Sequence, residues 1–127
     1  MIDLDIEFLT RVVRDEEAPP GGLLVSAEAL GRSIQGTTVI PHQGEATLRA
    51  AEVRSAAFSA LLGLRNHADP LAREGAARGL GHIHFRENQA REAMRKTLNR
   101  WLRRERVAAV RIAIEEAMKC RLTKCTR

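Results

Sequence analysis

The 127-residue chain has no tyrosine, one tryptophan and three phenylalanines, so no aromatic stacking platform for reading bases is visible in it. It has two cysteines, Cys120 and Cys125, both in the last eight residues, an arrangement that argues against a disulfide framework. No apolar run reaches the ~18 residues that a membrane span needs. The N-terminus carries Asp3, Asp5 and Glu7 where a signal peptide would be positive, so a cytoplasmic protein without membrane contact is expected. Strand formers do not alternate with polar residues, while Ala, Leu, Arg and Glu dominate, which predicts a single all-α domain. There is no nucleophile with a matched base, no phosphate-cradling glycine loop and no carboxylate pair in an apolar setting. His67, His82, His84, Cys120 and Cys125 come nearest to a ligand set, but their spacing is not that of a zinc site. The expectation is a non-enzyme with no cofactor and no metal.

The most structured stretch is Asp69 to Ile83. Asp69 is placed to cap a helix whose first position is Pro70, where a missing N–H costs nothing. Leu71, Ala72, Ala76, Gly79, Leu80 and Ile83 form a stripe of helical spacing with small residues at its centre. Gly75, Gly79 and Gly81 would each cost roughly 1 kcal/mol in an isolated helix, so tertiary contacts must hold this one.

The pattern recurs. Arginines at 54, 73 and 111 each precede an alanine-rich apolar run, at intervals of 19 and 38 residues, the spacing of stacked helical hairpins. The runs DPLAREGAARGLGHI, EVRSAAFSALLGL and AVRIAIEEAM resemble HEAT-like repeats of the short kind found in phycobilisome lyases, with the pattern Asp-Pro-x-Val-Arg, two alanines, Ala-Leu-Gly. The resemblance covers residues 45 to 119 and implies a right-handed α-solenoid of about five to six antiparallel helices, a rigid surface for a partner. It implies that Asp69, Arg54, Arg73 and Arg111 are scaffold residues bridging neighbouring repeats. Related solenoids include bilin lyases and DNA glycosylases, yet no catalytic residue of either reaction can be placed here. Only one copy keeps Asp-Pro, and Arg104-Glu105-Arg106 stands where another Asp-Pro turn would be expected.

Around this block, residues 1 to 44 read as N-terminal capping helices and a loop, and 120 to 127 as a frayed tail. Ile2, Ile6, Leu9 and Val13, widened by Phe8 and Val12, form the inner face of a first helix that ends by Pro19-Pro20. Leu23 to Ile34 reads as a second helix, and 35 to 44 as the longest loop, with Thr37, Thr38 and His42 as its polar candidates. Glu45 to Leu64 is the central helix, in which Phe58 is expected to be buried.

Charge divides along the chain. Residues 1 to 63 hold five basic and nine acidic side chains; residues 64 to 127 hold sixteen and seven. A helix from Glu87 to Arg103 carries an outer face of Arg91, Arg95, Lys96, Arg100 and Arg103, with Glu87 and Glu92 placed to pair with Arg91 and Lys96. Trp101 falls on its inner face. The last helix, from Glu105 to Arg121, has an apolar stripe that nothing later in the chain covers.

Two binding roles follow from these features. The leading one is a protein–protein or self-association module, a homodimer joined through Val107, Val110, Ile114 and Met118, which Ile114→Glu should break without unfolding the monomer. The second is contact with a nucleic-acid backbone through Arg95, Lys96, Arg100, Arg103 and Arg104, since guanidinium forks suit phosphates.

Overall fold

A computed structural model of the chain describes residues 3–36, 45–85 and 87–122. These residues form six α-helices and no strand: α1 (Asp3–Arg14), α2 (Pro20–Gly36), α3 (Glu45–Leu64), α4 (Pro70–Gly81), α5 (Asn88–Arg104) and α6 (Ala108–Leu122). The protein is all-α. Ile2, Thr37, Thr38, His42 and Cys125 lie outside the described residues, as does the side chain of Cys120.

Helix α2 starts earlier than the sequence pattern suggests. Pro20 takes the first helical position, and the N–H of Leu23 reaches the Pro19 carbonyl at 3.0 Å, so Gly21 and Gly22 fall within the first turn. Helix α4 begins as its sequence dictates: Asp69 has extended backbone geometry and its Oδ1 accepts the Leu71 N–H at 2.9 Å.

Helices α2, α4 and α6 form one row, in which α4 packs against α2 on one side and α6 on the other, and α1 packs on α3 beside it. Small residues make the row possible. A Cβ on Gly75 would lie 2.7 Å from the Leu24 Cα, and one on Gly79 2.5 Å from the Ala27 carbonyl oxygen. One on Gly31 would lie 2.5 Å from the Gly79 Cα, so the two helices cross almost backbone to backbone. Contacts climb α2 as they climb α4, hence the two run the same way.

The core collects Ile6, Val13, Leu23, Leu30, Leu61, Leu80, Leu98, Trp101, Val110 and Ile114. Three expectations change here. Phe8 is 58% exposed rather than part of the inner face of α1. Phe58 is half-buried, its ring 5.6 Å from that of Phe85 in an edge-to-face contact. Most consequentially, Val110 and Ile114 are 0% exposed within a single chain, and Val107 and Met118 pack at the edge of the core. Helix α4 covers the α6 stripe, so that stripe is not a free surface for a second copy; among the described side chains of α6, the large apolar one left exposed is Ile112. Ile114→Glu would bury a charge and unfold the monomer rather than split a dimer.

Gly79→Ala should lower stability to urea by about 2 kcal/mol, since backbone on the facing helix leaves the methyl no room. Gly63→Ala, where nothing lies within 4 Å of the added carbon, should raise it by about 0.5 kcal/mol. Equal effects in urea titrations would show that α2 and α4 are not this close.

Candidate functional site

The chain entering a helix presents carbonyl groups that need donors. Three helices here solve this alike. Arg73, Arg91 and Arg111 each occupy the fourth position of α4, α5 and α6, and each guanidinium reaches the carbonyl six residues back: His67 at 2.9 Å, Phe85 at 2.8 Å and Glu105 at 2.9 Å. Arg73 also donates to the Ala68 carbonyl at 3.0 Å and Arg111 to that of Leu102 at 2.7 Å. Arg91 is therefore half-buried and clamps its turn instead of facing solvent. It stands 18 residues after Arg73 and 20 before Arg111, filling the gap in the arginine spacing. Arg54 does not join the series, because it is the tenth residue of α3 rather than the fourth. Asp69 caps its own helix.

The α5–α6 turn is built on Glu105. Its carboxylate accepts both forks of Arg73, at 2.9 and 3.1 Å, the indole N–H of Trp101 at 3.1 Å and the Val107 N–H at 3.2 Å. The last bond, like that of Asp69, reaches the N–H two places on, but it lies in the turn before α6 rather than within the helix, so Glu105 fixes the turn. Its longer side chain reaches α4 as well. Burial would raise its pKa, but the bonds from Arg73, Val107 and Trp101, with the charge of Arg73, outweigh burial and hold it below the ordinary glutamate range.

Beside this network lies a pocket of about 380 Å³ between the α3–α4 and α5–α6 turns. Its inner wall is Arg73, Trp101 and Glu105; the rest is Arg65, Asn66, His67, Arg104 and Arg106. The Asn66 Oδ1 accepts from Arg104 at 3.1 Å, holding that guanidinium at the pocket. His67 Nδ1 accepts the Asp69 N–H at 2.9 Å, which leaves the ring proton on Nε2 as a donor. Arg65 is the unusual member: its Nε is buried with no hydrogen-bond partner among the described residues. Burial, then the like charges of Arg104 and Arg100, push its pKa down. The one carboxylate among the pocket's lining residues, Glu105, is taken up by Arg73, so Arg65, Arg104 and Arg106 find no anion in the lining.

Of the basic residues singled out in the sequence, Lys96, Arg100 and Arg103 are exposed and make no ion pair among the described residues, and Arg104 reaches the pocket. Arg95 differs, because Glu92 pairs with it rather than with Lys96. Arg65 and Arg106 join the group from turns, where no helical periodicity could have flagged them. The histidines serve separate purposes: His82 Nε2 lies 3.2 Å from Glu28 Oε2, linking α4 to α2, and His84 is exposed. That Glu28 contact borders a second groove of about 330 Å³ between α4 and α6, with Ile112 in its wall. No described helix is long and apolar enough to cross a membrane. No protein-family model, curated protein or solved structure matches the chain.

Glu105→Ala should cost about 3 kcal/mol of stability, since it leaves Arg73 and the Trp101 N–H without their partner. Because the folded-state pKa of Glu105 is depressed, its contribution is complete above the unfolded value of about 4.3 and is lost as pH falls through the lower folded value. Urea titrations from pH 7 to pH 3 should show an acid limb that Glu105→Gln makes shallower. An unchanged limb would mean that Glu105 gains nothing from Arg73.

Proposed function

We propose that this chain is a non-catalytic helical-repeat module of HEAT-like type that binds an anionic partner, the sugar-phosphate backbone of a nucleic acid, along the edge formed by α5 and the pocket beside it. One observation carries this reading: the Arg65 Nε is buried with no partner among the described residues, and Arg104 and Arg100 lie close enough to add to the burial that disfavours the Arg65 charge. Folding gains nothing from such an arrangement, whereas a bound anion would relieve it. Lys96, Arg100 and Arg103 extend the basic surface along the outer face of α5. With no aromatic platform, contact would be to phosphates and indifferent to sequence.

A protein partner is the second reading. It is favoured by Ile112, 58% exposed in the wall of the α4–α6 groove, and no longer by the buried Val110 and Ile114. The two readings differ in salt dependence, because an apolar contact survives salt that screens phosphate contacts.

Fluorescence anisotropy with labelled oligonucleotides should show binding at low salt that weakens steeply as salt rises. The double variant Arg100→Glu, Arg103→Glu should reduce the slope of log K against log salt by about 2. Absence of binding at low salt, or a slope indifferent to the double variant, would overturn the proposal.

A further inference from the structure

We infer that the pocket between the α3–α4 and α5–α6 turns receives a phosphomonoester group, the phosphorylated end of a nucleic-acid strand, rather than a phosphodiester within it. The inference rests on the backbone-binding reading and adds what the pocket itself takes.

The charge balance of the lining sets the ligand. Arg73 is matched by Glu105 through two bonds, leaving Arg65, Arg104 and Arg106 as the unmatched cations of the pocket. A diester brings one negative charge, whereas a monoester brings about 1.5 to 2 at neutral pH and three acceptor oxygens. The His67 ring, whose Nδ1 accepts the Asp69 N–H, adds an Nε2–H donor to the lining. Trp101 and Glu105, both buried, form the floor of the pocket, and the cations stand around it. The partner class follows from the surroundings. Arg100 and Arg103 lie along the same helix without an ion-pair partner among the described residues, beside Lys96, whose charge Glu92 partly offsets; they are positioned for further phosphates of the strand, and a phosphopeptide carrying a single dianion would leave them unmatched.

The test uses the full chain and three labelled oligonucleotides of one sequence, ending in a 5′-phosphate, a 3′-phosphate or hydroxyls only, read by anisotropy at fixed salt. At least one phosphorylated end should bind about tenfold more tightly than the hydroxyl-ended strand, the worth of one charge-assisted contact. Arg65→Gln should abolish that ratio, bringing the phosphorylated strands down to the affinity that the same variant has for the hydroxyl-ended strand. Arg104→Gln, at an exposed residue, serves as a second variant should Arg65→Gln fail to give the wild-type circular dichroism spectrum. Equal affinity for the three strands would overturn the strand-end pocket and leave the backbone reading standing; no binding of any strand at low salt would overturn both. A phosphoserine peptide that binds more tightly than the phosphorylated strands would overturn the choice of nucleic acid.

Discussion

The carboxylate of Glu105 is the point at which three helices are tied together. It accepts from Arg73 of α4, Trp101 of α5 and the backbone entering α6, so one side chain fixes how α5 turns into α6 and how both lie against α4. A buried carboxylate is unfavourable unless its lone pairs are satisfied, and four donors satisfy this one. The pocket depends on it in turn. Arg104 and Arg106 flank Glu105 in the chain, and the bond that anchors Glu105 to α4 brings them to the turn that carries Arg65 and Asn66.

The molecule uses two kinds of packing, one between α4 and α2 and another where α5 meets α6. Toward α2 the contact is Gly31 and Gly79 with alanines around them, and backbones nearly touch. Such a contact tolerates no added carbon and allows little relative motion. Helix α5 contributes large side chains instead, Met94, Leu98 and Trp101, and is fastened by long polar arms: Trp101 to Glu105, and Arg91 to the turn before it. The rigid row therefore supplies a base, and the charged outer face of α5 stands away from it.

Much of this was legible in the residues, and the failures have physical causes. Asp69-Pro70 announces the start of α4, and the small stripe of that helix announces close packing, because both are local rules of capping and sterics. The inward phase of Trp101 was readable for the same reason. Periodicity also showed that α6 has an apolar face, but it cannot say which helix covers that face; α4 covers it, and Val110 and Ile114 belong to the core. Arg91 read as an outward residue because its solvent-facing phase says nothing about a guanidinium long enough to reach back to Phe85. Arg65 was invisible, since it is a turn residue whose significance lies in neighbours roughly 35 to 40 positions away along the chain.

The contrast between Arg73 and Arg65 separates scaffold from site. Both are partly buried arginines near the same turn, and by residue type nothing distinguishes them. Arg73 makes four hydrogen bonds to protein groups, including both oxygens of a carboxylate, so its charge is neutralised within the fold. Arg65 faces Arg104 and Arg100, and its Nε donor is shut away from solvent without an acceptor. An unpaired buried donor costs on the order of 1–3 kcal/mol and crowded like charges add to it, so such an arrangement opposes folding. A negative charge supplied from outside the fold would offset it, which is the basis of the proposal. The structural arginines are those the chain has paired for itself; Arg65 is the one it leaves unpaired at Nε among the described residues, which is why the proposed binding role is placed there.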